Sequence, residues 1–76
     1  MHAFLIRSEP DRNMHRYYQI DVQQTLFGDF VTVRRWGRIG TDGQLQQDWH
    51  DTQEAADGAA ALLVKRKENR GYIRVA

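Results

Sequence analysis

The chain contains no cysteine. It can build no disulfide framework, thiol nucleophile or thiolate metal site, and a reducing compartment suits it, so the cytoplasm is the expected location. It has one proline in 76 residues, which does not fit a proline-rich disordered segment. An excess of one charge is also missing. Eleven Lys and Arg oppose ten Asp and Glu, leaving a formal charge of +1, so the overall balance does not announce a nucleic-acid binder. The longest apolar run, Ala59 to Val64, is far short of the roughly 20 residues a membrane helix needs. The N-terminus lacks the charged-then-apolar order of a signal peptide, and no membrane partner is expected.

The chemistry-bearing residues are equally sparse. His2, His15 and His50 fall on three separate elements with no paired spacing, so no metal site is expected. Asp48, Asp51 and Glu54 lie across a helix start, where capping already accounts for them. No serine, cysteine or histidine arrangement supports nucleophilic catalysis, and no glycine loop precedes a helix as phosphate-binding folds require. The chain reads as a non-enzyme with no cofactor and no small-molecule substrate.

What is present suits a folded domain: 41% hydrophobic and 28% charged residues is the composition of a globular protein. A chain of this length buries only about 60–65% of its unfolded surface, so a single domain over residues 1–76 is expected. Ala3-Phe4-Leu5-Ile6 opens a strand that Ser8-Glu9-Pro10-Asp11 ends as a polar loop. From His15 to Gln24 the pattern alternates, with Tyr18, Ile20 and Val22 on one face and Tyr17, Gln19, Asp21 and Gln23 on the other. Leu26 to Asp29 reverses the chain, and Phe30-Val31-Thr32-Val33 begins a third strand. Beyond Asp42-Gly43, Gln44 to His50 alternates again. Asp51 or Thr52 then caps a helix, with Glu54 reaching back to the free amides. Ala55, Ala59, Leu62, Leu63 and Arg66 form its apolar stripe, Gly71 sits at its left-handed C-cap, and Tyr72 to Val75 closes the chain as a short strand. These elements predict an α+β fold, a small antiparallel sheet of about five strands with one helix on one face.

The stretch that stands out is Arg34-Arg35-Trp36-Gly37-Arg38-Ile39-Gly40. Alternation sends Val31, Val33 and Ile39 one way and Thr32, Arg34, Trp36 and Arg38 the other. The helix is expected to cover the valine face, leaving Trp36 and Arg38 on the open one. There the indole offers a flat surface for a sugar or base, or folds onto its own sheet under Arg34 or Arg38. Arg38, with Arg34 and Arg16, can grip phosphate in bidentate fashion, or pair with Asp21 or Asp48 as a solvated strand face. Gly37 admits close approach of a ligand to backbone amides or marks a bulge. Lys65, Arg66, Lys67 and Arg70 extend an electrostatic footprint or serve the helix dipole.

The ordered stretches His15-Arg16-Tyr17-Tyr18-Gln19-Ile20, Arg35-Trp36-Gly37-Arg38-Ile39-Gly40-Thr41, Asp42-Gly43-Gln44, Glu54-Ala55, and Lys67 ahead of Gly71-Tyr72 together resemble the WGR domain family. That family occurs in DNA-damage-responsive poly(ADP-ribose) polymerases and in bacterial proteins. The resemblance implies a sheet with one helix that grips DNA at a strand break. By it, Trp36 packs on the terminal sugar, while Gly37 and Arg38 contact the end and its 5′ phosphate. His15-Arg16 matches an asparagine-lysine pair that touches phosphate, with Arg16 keeping the charge and His15 departing from the pattern. The expected function is therefore a nucleic-acid-binding module for DNA ends or nicks, in DNA repair, using Trp36, Gly37, Arg38, Arg16, Arg34 and His15. The alternative is a protein-interaction module that docks an acidic partner, such as an enzyme acting on DNA, without touching DNA itself.

Overall fold

A computed structural model describes residues 1–76. The chain runs β1 (His2–Glu9), one 3-10 turn (Pro10–Arg12), β2 (Met14–Gln24), β3 (Phe30–Arg38), β4 (Gln44–His50), α1 (Gln53–Asn69) and β5 (Ile73–Arg74). The strands form one antiparallel sheet in the order β4-β3-β2-β1-β5. Strands β1 to β4 are a meander, and α1 carries the chain back across it to lay β5 beside β1. The α+β sheet-and-helix fold read from the alternation is the one observed. Two details differ. Pro10 starts a helical turn where a loop was expected, because its fixed φ suits a first helical position. The last strand is only two residues long.

The face covered by the helix is the opposite of the one expected. Ala3 and Leu5 of β1 and Tyr18 and Ile20 of β2 form the buried cluster with Ala60, Val64 and Tyr72. Register settles which residues of β3 share that face: Tyr18 stands opposite Trp36, and Ile20 opposite Arg34. The helix therefore lies over Thr32, Arg34 and Trp36, while Val33 faces the uncovered side and Ile39 lies exposed beyond the strand. The reason is that β3 taken alone is apolar enough on either face. The larger apolar residues of β2 and β1 decide.

The helix is turned to match. Its buried residues are Ala56, Ala60 and Val64, one position on from the expected Ala55-Ala59 stripe, and Leu62 is exposed. Small residues on this line let the helix sit close over Tyr18, Leu5 and Ile20. Thr52 is the N-cap, its Oγ1 accepting from the Ala55 N–H at 3.1 Å. Glu54 falls at the second helical position, one short of where a capping-box carboxylate returns to the backbone. At the other end Gly71 takes φ +96°. Its N–H donates to the Glu68 carbonyl and that of Tyr72 to the Lys67 carbonyl, both at 3.0 Å. This left-handed cap turns Tyr72 back into the core. No helix is long and apolar enough to cross a membrane.

Candidate nucleic-acid interface

The end of β3, the start of β2 and the last turn of α1 converge on one cleft of about 500 Å³. It is lined by Arg12, Asn13, Met14, Arg16, Trp36, Gly37, Arg38, Lys67 and Tyr72. Four of these are cations, three are apolar or aromatic, and none is a carboxylate. A chain almost neutral overall thus segregates its charge, and local sign matters more to an approaching anion than the sum.

Each cation is held differently. Arg38 is cross-strand from Arg16. Its Nη1 donates to the Asn13 carbonyl at 3.1 Å and its Nη2 to Asn13 Oδ1 at 3.2 Å. Asn13 ends the 3-10 turn in the left-handed region at φ +50°, a conformation asparagine tolerates better than most residues, and this aims both oxygens at the guanidinium. Neutral acceptors orient Arg38 without cancelling its charge. Arg16 is exposed and has no ion pair. Arg12 lies 3.4 Å from Glu9, a surface pair worth little. Lys67 Nζ sits over the rings of Tyr18 at 4.9 Å and Tyr72 at 5.4 Å. Burial, followed by repulsion from Arg70, Arg34 and Arg16, pulls its pKa below the ordinary 10.5. Burial disfavours a charge of either sign, so it is only the smaller part of the shift, the repulsion among neighbouring cations, that an incoming anion would relieve.

Trp36 does two things at once. It packs against the buried cluster, with the Arg34 guanidinium 5.8 Å from its ring centroid, and it also lines the cleft. It is not a plate on an open sheet face. Arg34 is not brought to the cleft: its Nη2 pairs with Asp48 Oδ2 at 3.1 Å and its side chain is only 18% exposed. His15 is likewise elsewhere, on the opposite face of β2 from Arg16, with Nδ1 3.1 Å from Ser8 Oγ. Arg35 lies on that uncovered face too and donates to the Asp42 carbonyl at 3.3 Å.

The two glycines flanking this region are fixed by the protein's own backbone. A Cβ on Gly37 would lie 2.8 Å from Gly43 Cα, and one on Gly43, at φ +65°, would run into the Trp36 carbonyl. The β3–β4 hairpin therefore folds flat against β3. Tyr17 holds it there by donating to the carbonyls of Thr41 at 3.1 Å and Asp42 at 3.0 Å, and Thr41 Oγ1 donates to the Arg38 carbonyl at 2.7 Å. Gly37 positions the two residues that flank it.

Sequence reasoning reached Trp36, Gly37, Arg38 and Arg16, but did not single out Arg12, Asn13 or Met14 as site residues. An asparagine just after a proline turn was the available signal for Asn13. Of the helix-end cations, the cleft takes Lys67 alone.

The architecture is a small antiparallel sheet with one helix, carrying a basic cleft lined by aromatic side chains and no carboxylate. The match to the WGR domain family spans residues 1–76, and the chain belongs to that family, a family of nucleic-acid-binding rather than catalytic modules. The chain is 41% identical over 69 residues to an uncharacterized protein of Sinorhizobium fredii, covering 91% of this chain and 34% of the relative. It is also similar to a crystal structure of a Bacteroides fragilis protein, with a TM-score of 0.79 and 26% identity over 100% of this chain and 20% of that one. The chain thus spans about a third of the one and a fifth of the other.

Proposed function

We propose that the cleft binds the end of a DNA strand, at a break or nick, and that the module serves proteins acting in DNA repair. The observation that carries this reading is the grouping of Arg12, Arg16, Arg38 and Lys67 around Trp36 and Tyr72 with no carboxylate in the lining. A terminal nucleotide offers the matching chemistry. Its phosphate meets Arg38 and Arg16, whose planar guanidiniums suit two-point contact, and Lys67 adds a point charge. Its sugar packs on the exposed part of Trp36. A continuous duplex offers phosphate but no free end to enter a recess. Recognition is of shape and phosphate, since no helix is presented to a groove to read base edges.

The test is fluorescence anisotropy with a blunt 5′-phosphorylated duplex against the same duplex with hairpin-closed ends, across a salt series. Open ends are expected to bind more tightly, with a log–log salt slope of about −0.9 per phosphate neutralised. Trp36→Ala and Arg38→Ala are expected to remove the preference. Equal binding of the two duplexes sinks end recognition. Indifference to both at low salt turns the cleft toward an acidic protein partner.

A further inference from the structure

The sheet has one long unprotected edge. Strand β4 is outermost and seven residues long, and it carries no proline and no lysine. These are among the devices by which edge strands ordinarily avoid pairing. The opposite edge is capped by β5 and the C-terminal residues, where Phe4 exchanges bonds with Val75 and Ala76.

The backbone of β4 shows which of its groups are free. The Ile39 N–H donates to the His15 carbonyl and the Thr25 N–H to the Asp29 carbonyl, so the odd-numbered residues of β3 point their amides and carbonyls toward β2. Its even-numbered residues then point theirs toward β4. Given the pairs Thr32 with Asp48, Arg34 with Gln46, and Trp36 with Gln44, it is the even residues of β4 that answer. The N–H and C=O groups of Leu45, Gln47 and Trp49 are left facing outward along the edge. Their side chains share the uncovered face, where Leu45 is 52% and Trp49 63% exposed.

We propose that two copies of this chain pair through β4, antiparallel about a two-fold axis at Gln47, to form one continuous ten-stranded sheet. This register satisfies three conditions together. It sets Gln47 opposite its own copy and Leu45 opposite the copy's Trp49, so all three outward residues exchange backbone bonds, and a shift to either side loses one of these pairs. Leu45 meets Trp49 twice, an aliphatic–aromatic contact of the kind that stabilises cross-strand pairs. Asp48 falls opposite Gln46, whereas the next allowed register toward the C-terminus sets Asp48 against its own copy. The contact is isologous and closes at two copies, because each chain has only one long free edge. Since the axis stands perpendicular to the sheet, both helices and both basic clefts open on the same side, and a ligand long enough to reach both gains by effective concentration.

The pairing does not depend on what the clefts bind, so it is tested without DNA. Sedimentation velocity over a concentration series is expected to show a monomer–dimer equilibrium. Leu45→Lys with Trp49→Lys, which places like charges opposite one another twice, is expected to raise the dissociation constant about tenfold or more. Gln47→Pro, which removes an outward N–H and leaves the β3 ladder whole, is expected to do the same. Circular dichroism checks that each variant keeps the fold. Because the chain has no cysteine, Gln47→Cys gives a clean second readout. A hydrogen-bonded antiparallel pair sets its Cα atoms about 5.5 Å apart, within disulfide reach. Oxidation should therefore link Gln47→Cys and spare Phe27→Cys on the exposed hairpin. A wild type that stays monomeric to millimolar concentration overturns the proposal. So does a dimer unchanged in the lysine and proline variants, or equal cross-linking at both cysteine positions.

Discussion

The two faces of the sheet both carry apolar side chains and have different fates. The uncovered face presents Phe4 stacked on Tyr17 at 6.1 Å, together with Val33, Leu45 and Trp49. The covered face buries Leu5, Tyr18 and Ile20, yet it also holds Arg34, Lys67 and the hydroxyl of Tyr18. The large apolar residues of β1 and β2 decide where the helix lies, in spite of those polar groups. The difference lies in the alanines of α1, which fit closely over large residues on β1 and β2, and in the last turn of the helix, which ends beside the tip of β3. The face that builds the core also builds the cleft, so stability and binding share residues there. On the other face they do not.

That coupling is breakable by substitution. Ala60→Leu wedges α1 off the sheet and is expected to cost about 1–3 kcal/mol, read as a lowered urea midpoint. Trp49→Ala, on the uncovered face, is expected to stay within about 0.5 kcal/mol of wild type when both are unfolded at concentrations where the chain is monomeric. If the two cost the same, the helix is not as closely seated as Ala56 and Ala60 imply.

Next in size are the cleft residues. Trp36→Ala is expected to lower affinity for an open DNA end by about 1–3 kcal/mol, and Asn13→Ala to weaken it less, by releasing Arg38 from its two acceptors. Arg35→Ala, one residue from Trp36 but on the other face, is expected to leave anisotropy titrations unchanged. A loss at Arg35 equal to that at Arg38 would place the ligand on the wrong side of the sheet.

Lys67 gives the comparison a pH axis. Its pKa is lowered, mainly by burial, so its charge is lost at lower pH than that of an ordinary lysine, and anion affinity is expected to fall as pH rises toward 10.5. Lys67→Arg should flatten that profile. The sign for folding is the reverse. Just below pH 10.5 the unfolded chain binds the proton more tightly than the folded one, so this group's contribution to stability rises with pH. Tyr18, raised above 10.0 chiefly by its own burial, works the other way at higher pH.

The smallest effect is expected at Tyr18→Phe. The hydroxyl is buried beside the Arg34 guanidinium without making a well-formed hydrogen bond to it, so the small loss of that contact is offset by removal of a poorly satisfied buried polar group. A thermal midpoint within a degree or two of wild type is the expected outcome.

The elements were legible in the sequence because two-residue alternation and capping chemistry are local. Which face of β3 the helix covers was not, since Phe30 to Val33 is apolar on both faces and the answer lies in its register with Tyr18 and Ile20. The cleft was half legible for the same reason. Trp36, Gly37, Arg38 and Arg16 announce themselves by residue type and by family pattern. Arg12, Asn13 and Tyr72 join them only because the 3-10 turn and the left-handed helix cap carry them there. Arg34 stands four residues before Arg38 on the same face, and residue type alone offered it too as a phosphate contact. What separates them is Asp48, across the sheet.

The bonding of the last segment to the start of β1, with the Phe4 N–H on the Ala76 carbonyl and Arg74 Nη2 on the His2 carbonyl at 2.9 Å, brings residues 1 and 76 to the same corner of the sheet. Topologically the fold is close to a ring. A short flexible bridge from Ala76 to Met1, with new ends opened at the fully exposed Leu26-Phe27 hairpin, should give a permuted chain with the same sheet and the same cleft. For the same reason a longer polypeptide can carry the module in the middle of another domain, its two connections leaving side by side.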